Sequence, residues 1–248
     1  MLKFFSKING FWVGQIGELE IMSMNSFLDN GHPYHLWIYE EQKNIPNGVV
    51  LQNAEEIVPR KVYENWFSQQ HKKHLKQTFA NYFRYKLINK VGGFWCDLDF
   101  ICLQPLDFQE DFIFCGVSDI PTRRELNIYF DKIGPYGNCV NSLFKSPPDQ
   151  FFLEYMIREI EQDVIDGFCP ETFGIWGAVL LTESLIKFDL LKYKKNNIIE
   201  YGINYSNRQY NDSELPLPNS YTLHFYNYLG RKDIVDNSLY DRMKKRYL

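Results

Sequence analysis

Asn81–Leu103, NYFRYKLINKVGGFWCDLDFICL, decides the fold. It reads as an amphipathic helix, a Gly-Gly stop and an apolar strand carrying two acids, Asp97 and Asp99. An unpartnered buried carboxylate is costly, so two acids at an apolar strand end point to a cation, or to a ligand that brings one. The chain has 15 Asp, so chance alone yields about one Asp-x-Asp, and the surroundings carry the argument. In a strand, alternate side chains share a face about 7 Å apart. Asp97 and Asp99 would converge on one ion while Leu98 points into the core. Phe94, Trp95, Cys96, Phe100 and Ile101 make the flanks β-prone. Oxygen ligands of this kind suit Mg²⁺ or Mn²⁺ rather than zinc, with water and substrate phosphates completing the shell.

Upstream, Leu75, Phe79, Phe83 and Leu87 recur every four residues and form a buried stripe. Asn81 and Arg84 are three apart and neighbour each other on another side. Gly92 and Gly93 end the helix, because glycine accepts the left-handed backbone there. The reversal returns the strand alongside the helix and brings Arg84 toward the acids. Its planar fork then serves either a phosphate or sugar hydroxyl, or a structural Arg–Asp salt bridge. The residues alone leave both readings open.

Working outward, strands alternate with helices. Ile8–Val13 and His35–Tyr39 read as strands around a helix at Glu18–Asn30 that Gly31 stops. Asn53 and Glu56 form a capping box. Val62–Gln70 and His71–Lys90 read as helices, and Phe112–Val117 and Val140–Lys145 as strands. Pro147-Pro148 is a turn before a helix at Gln150–Asp163. Thr172–Lys187 is a helix with Gly174 and Gly177 at its start. Their amides either face a diphosphate or an acceptor, or, more plainly, serve close packing. Lys192–Pro218 shows no period. The expectation is an α/β fold, one domain over 1–248, with a mostly parallel central sheet flanked by helices. Ligands then sit at the carboxyl ends of the strands. A basic helical end covers about 231–248.

The 248 residues suffice for one sizeable core. Aromatics at 17% serve that core, with sugar or base stacking as the alternative use. A formal charge of −4 argues against a nucleic-acid binder. The basic end, with Arg231 and Lys232, is either a solvated helix or a contact with an anionic membrane face. No signal peptide or membrane span is read. Cys96, Cys102, Cys115, Cys139 and Cys169 lack CxxC spacing and read as reduced thiols of a cytoplasmic protein. His32, His35, His71 and His74 read as surface or satisfied core residues. No G-x-S-x-G, P-loop or Rossmann glycine pattern occurs.

The run A-N-Y-F-R-Y-K-L-I-N-K-V-G-G-F-W-C-D-L-D-F resembles the S-D-x-x-R-Y…G-G-x-Y/W-x-D-x-D block of the DXD-containing sugar-transferase family. That family holds retaining glycosyltransferases of bacterial polysaccharide and lipooligosaccharide synthesis and distant relatives of the clostridial glucosylating toxins. Weaker likenesses follow in the family's order: K-I-N-G-F-W-V-G, S-F-L-D-N-G-H, N-S-L-F-K-S-P-P, G-I-W-G-A-V-L-L-T and L-H-F-Y-N. The resemblance implies a GT-A-type nucleotide-diphospho-sugar transferase fold with Mn²⁺ or Mg²⁺. It implies that Asp99 binds the metal, and that Asp97 contacts the donor and often the metal through water. His224 reaches the metal or diphosphate. Trp12 stacks on a uracil-type base, Arg84 holds the donor sugar or phosphate, and Trp95 lies against the donor. Asp97, Asp99 and Arg84 are thus the implied catalytic set.

Two departures stand out. Asn81 replaces the family's Asp and keeps hydrogen bonding without charge, and Tyr226 replaces a Trp. The implied function is transfer of a hexose, favouring a UDP-sugar donor, to a polysaccharide, lipooligosaccharide or lipid-linked glycan. The implied location is cytoplasmic, with a peripheral contact on the inner membrane face. The alternatives are a non-catalytic nucleotide-sugar-binding protein, motivated by Asn81, and a toxin-like protein glycosyltransferase.

Overall fold

A computed structural model describes residues 5–67, 75–116, 139–170, 174–196, 198–200, 220–225 and 234–248. The chain runs β1 (Ile8–Trp12), α1 (Glu18–Asp29), β2 (Tyr34–Ile38), β3 (Val49–Asn53), α2 (Arg60–Phe67), α3 (Leu75–Val91), β4 (Gly93–Cys96), β5 (Phe100–Cys102) and β6 (Ile113–Gly116). It continues with β7 (Cys139–Ser146), α4 (Phe151–Ile165), α5 (Leu180–Lys187), β8 (Lys194–Lys195), β9 (Ile199–Glu200), β10 (Thr222–His224) and α6 (Leu239–Tyr247). Two compact units result. The first holds Met1–Gln52, Cys96–Phe108 and Asn197–Leu248, and the second Asn53–Trp95 and Gln109–Asn196.

In the first unit β1 pairs in parallel with β2, and β3 extends this sheet beyond β2. A smaller sheet has β10 between β5, antiparallel to it, and β9, parallel to it. Helix α1 fills the core with Leu19 and Met22, which meet Ile101, Leu223, Phe225 and the apolar face of α6: Leu239, Tyr240, Met243 and Tyr247. The α6 end is tied down where Asn25 Nδ2 donates to the Tyr247 carbonyl at 2.7 Å. Ser238 caps α6, its hydroxyl accepting from the Asp241 amide.

In the second unit the strand order is β4-β7-β6-β8. β6 and β8 are parallel, as α/β alternation predicts, whereas β6 and β7 are antiparallel, so the sheet is mixed. Helix α3 is buried well beyond its expected stripe. Phe79, Phe83 and Leu87 are at most 1% exposed, and Thr78, Asn81, Tyr82, Arg84, Tyr85 and Ile88 are buried too. Each fully buried Phe contributes roughly 1.5–3 kcal/mol. Among the described residues most aromatics serve the core, and the largest fully buried side chains are all Trp, Tyr or Phe. Several buried aromatics also place a polar atom on a partner. Trp66 Nε1 donates to Thr78 Oγ1, Trp176 Nε1 to Asp163 and the Tyr82 hydroxyl to Glu161.

Several expectations change. Strand β4 ends at Cys96, so Asp97, Leu98 and Asp99 form a turn rather than a strand. Gly92 and Gly93 both take positive φ, 62° and 92°, as the helix stop requires. Asn53 caps only one 3₁₀ turn, Ala54–Glu56, accepting from the Glu55 amide. α2 starts two residues early because Pro59 precedes it and offers its carbonyl to Val62. The helix read from Thr172 is a π turn, Ile175–Val179, running into α5. Cys96, Cys102, Cys115 and Cys139 are buried and Cys169 partly so, all as free thiols. Burial pushes the Cys102 and Cys139 thiols up to about 12, which leaves them protonated. His71, His74, Val117, Tyr226, Arg231, Lys232 and most of 192–218 lie outside the described residues.

Candidate active site

The acid turn is built in the first unit. Leu98 is its buried anchor, 4% exposed, whereas Asp97 and Asp99 are partly exposed. The turn presses on β1 at Gly10, where a Cβ would stand 2.7 Å from Tyr34 Oη and 2.8 Å from Leu98 Cδ1. Only glycine admits that approach. Burial pushes the Tyr34 phenol well up, and Cys96 and Asp97 add to the shift, so a neutral phenol underlies the acids.

Pairing of β5 with β10 sets the second component. His224 lies opposite Phe100, and the Phe225 amide donates to the Asp99 carbonyl at 2.8 Å. The His224 ring stacks on Phe100 with centroids 4.1 Å apart and planes 14° apart. Its Nε2 is 3.1 Å from Asp99 Oδ1. A carboxylate oxygen and an imidazole nitrogen thus lie within contact distance of each other. Adjacent ligands of an octahedral shell with bonds of about 2.1 Å lie about 3 Å apart, so the pair fits a divalent cation. Among the described residues no cluster of three or more His, Cys, Asp or Glu could enclose a metal.

Trp12 closes β1 at its carboxyl end, partly exposed, with Nε1 donating to the Gln15 carbonyl at 3.1 Å. The parallel β1–β2 pair ends at Trp12 and Ile38, the strand ends where α/β folds bind ligands.

Asn81, Arg84 and Trp95 belong to the second unit, where they share one buried polar cluster. Arg84 is 5% exposed, and its guanidinium carbon lies 4.8 Å from the centre of the Trp95 ring. Its Nε donates to the Ala80 carbonyl at 3.2 Å and its Nη1 to the Asn141 carbonyl at 2.6 Å. Asn141 Nδ2 donates to Asn81 Oδ1 at 2.8 Å and to the Tyr85 hydroxyl at 3.1 Å. Trp95 is 2% exposed and serves as the floor beneath the guanidinium.

The structure therefore joins Asp99 to His224, and Asn81 to Arg84 and Trp95. Asn141 and Tyr85 were not singled out in the sequence as site residues, whereas Gly177 was read only at a helix start, for ligand binding or close packing. Asn141 opens N-S-L-F-K-S-P-P, so a signal was present. Tyr85 gave none beyond its place beside Arg84, because tyrosines are common in this chain.

Residues 17–114 match the family described as a glycosyltransferase sugar-binding region containing a DXD motif. This stretch is similar to the sugar-binding region of DXD-containing glycosyltransferases. Asn81, Arg84, Trp95, Asp97 and Asp99 all fall within that match, whereas Trp12, Asn141 and His224 lie outside it. No curated protein matches the sequence. Solved structures share the fold. The galactosyltransferase LgtC, in complex with donor and acceptor sugar analogues, aligns with TM-score 0.52 at 11% identity, over 97% of this chain and 96% of its own. The PaToxG glycosyltransferase aligns with TM-score 0.51 at 11% identity, over 75% of this chain and 70% of its own. An active-site mutant of LgtC gives TM-score 0.50 at 13% identity, over 96% and 94%. The glycosyltransferase fold is thus a mostly parallel mixed sheet with flanking helices, the GT-A type expected from the acid block.

Proposed function

We propose that this glycosyltransferase is metal-dependent and retaining, and moves a hexose from a UDP-sugar to a hydroxyl of a polysaccharide, lipooligosaccharide or lipid-linked glycan. The observation that carries this reading is the contact between Asp99, in the acid turn inside the family match, and His224 on β10, 3.1 Å apart. Asp99 and His224 hold Mn²⁺ or Mg²⁺, with Asp97 contacting the donor and reaching the ion through water. When bound, the ion neutralises the departing diphosphate. Trp12 offers its indole to the base. Asn81, Arg84 and Asn141 form the donor-sugar side, with Trp95 beneath Arg84. Fixing donor and acceptor hydroxyl in one geometry supplies much of the rate.

The acceptor is met in solution or at an anionic membrane face. Among the described residues no helix is long and apolar enough to cross a membrane. In α6, Lys244 pairs with Glu18 at 2.8 Å and Lys245 with Asp241 at 2.7 Å, so part of the basic end is neutralised within the protein. Co-sedimentation with anionic vesicles checks the membrane contact.

The deciding experiment is a thermal-shift and donor-hydrolysis panel of UDP-glucose, UDP-galactose and GDP-mannose with and without Mn²⁺. Metal-dependent stabilisation by one donor with slow release of nucleoside diphosphate supports the reading. No stabilisation by any donor, or stabilisation unchanged in Asp99→Ala, removes it.

A further inference from the structure

Tyr85 sits one position past Arg84 on α3, fully buried, and its hydroxyl is a junction. It lies 3.0 Å from the Trp176 carbonyl and 3.1 Å from the Gly177 carbonyl. Carbonyls only accept, so the single phenolic proton goes to them. The phenolic oxygen must then accept from Asn141, which fixes the amide orientation: Nδ2 faces Tyr85 and Asn81. Both Nδ2 protons are consumed. The opposite atom, Asn141 Oδ1, takes no hydrogen bond from any described residue, and the amide packs beside Gly177, where a Cβ would stand 3.2 Å from Oδ1 and 3.4 Å from Nδ2.

The carbonyls that Tyr85 holds are not ordinary helix carbonyls. They belong to the π turn Ile175–Val179, in which Gly177 leaves helical geometry at φ −94° and ψ −113°. Such turns expose main-chain groups and recur at functional sites. One hydroxyl therefore fixes two things together: the path of the π turn and the direction of the Asn141 amide. Arg84 holds the Asn141 main chain and Tyr85 its side chain.

We infer that Tyr85 is a positioning residue that acts through Asn141, turning its amide oxygen toward a hydroxyl of the donor hexose. This rests on the donor-sugar reading of the Asn81–Arg84–Asn141 cluster. Tyr85 touches no substrate. Its contribution is the orientation of one acceptor, and orientation at a sugar hydroxyl is where a glycosyl donor is told apart from its analogues.

Because the contact concerns the hexose and not the nucleotide, its loss separates two affinities. The test measures binding of UDP-galactose, UDP-glucose and UDP alone by calorimetry with Mn²⁺, in wild type, Tyr85→Phe, Asn141→Ala and the double variant. The Tyr85→Phe substitution should weaken binding of the preferred UDP-hexose by about tenfold, the scale of one hydrogen bond, and that of UDP by less than about twofold. In the Asn141→Ala background the same substitution should change UDP-hexose affinity by less than about twofold, the coupling expected of residues acting as a unit. Gly177→Ala leaves the phenol intact and pushes on the same amide, and should show the same selective loss. It also serves if Tyr85→Phe does not fold. Equal weakening of UDP and UDP-hexose, or an undiminished Tyr85→Phe effect without Asn141, overturns the inference and leaves the functional reading standing. Failure of wild type to bind UDP, either UDP-hexose or GDP-mannose removes the functional reading and this inference with it.

Discussion

His224 Nε2 lies 3.1 Å from Asp99 Oδ1 because β10 runs antiparallel to β5 and places His224 opposite Phe100. Backbone pairing, ring stacking on Phe100 and the Phe225 amide on the Asp99 carbonyl all fix this one juxtaposition. Asp99→Ala should lower kcat/KM for donor hydrolysis by more than about 100-fold, since even residues that merely support a metal ligand cost about 10–100-fold. His224→Ala should raise the Mn²⁺ concentration for half-maximal turnover by about 10–100-fold. Steady-state kinetics across a Mn²⁺ titration reads both. An unchanged Mn²⁺ dependence in either variant counts against the pair as a metal site.

Gly10 carries the acid turn. A methyl there would sit 2.7 Å from Tyr34 Oη and 2.8 Å from Leu98 Cδ1, and both neighbours are buried. Gly10→Ala should destabilise the chain by about 1–3 kcal/mol, the range for overpacking. Leu98→Ala in the same chain removes one of the two clashing atoms. The double variant should then be more stable than the sum of the single losses predicts. Urea unfolding of the four proteins decides it, and strict additivity would refute the contact.

Asn81 meets Asn141 as an acceptor, through Oδ1, and an aspartate in its place offers the same acceptor. Asn81→Asp should therefore fold with stability within about 1 kcal/mol of wild type, Arg84 one helical turn away offsetting the new charge. Asn81→Ala leaves an Asn141 N–H unmatched and should cost about 1–3 kcal/mol. The same urea unfolding assay separates the two. An Asp variant as unstable as the Ala variant would show that position 81 cannot hold a charge and that the departure from the family's Asp is obligatory.

The legible parts of the sequence were those with local causes. The Gly92-Gly93 stop is visible because two adjacent positive φ values demand glycine, and α1 and α4 are placed by the Gly31 stop and by the Pro147-Pro148 turn. Leu98 was correctly placed in the core although the acids flanking it leave the strand. The turn itself was not legible, because CDLDF alternates like a strand and only the pairing of β5 with β10 shows where the chain bends. Asp99 and His224 came together on paper through a family likeness, not through spacing. The cluster around Asn141 was hidden for the same reason. Tyr85, Asn141 and Gly177 sit on three separate elements, and no local pattern announces that one hydroxyl joins them.

His32 gives the chain an acid-sensitive strut. Its Nδ1 is 3.0 Å from the Ser6 carbonyl and its Nε2 accepts from the Leu106 amide at 2.9 Å. A carbonyl can only accept, so Nδ1 carries the proton and Nε2 keeps its lone pair. Phe5 and Phe27 pack around the ring, with centroids 5.1 and 6.0 Å away. Burial lowers the imidazole pKa below its ordinary 6.5, against smaller opposite pulls from the Ser6 carbonyl and Asp107. A depressed folded-state value means that the unfolded chain takes up the proton first as pH falls. The contribution of His32 is therefore fully present above about pH 6.5 and is lost as pH falls through the lower folded value. Within that window the loss approaches about 1.4 kcal/mol per pH unit. Urea unfolding from pH 8 to pH 5 should show wild-type stability falling more steeply than that of His32→Gln. The gap between the two should narrow as the pH drops, and subtracting the variant cancels the other histidines. A gap that stays constant over the whole range would mean that His32 titrates alike in folded and unfolded chains, and that its two hydrogen bonds do not hold the ring neutral.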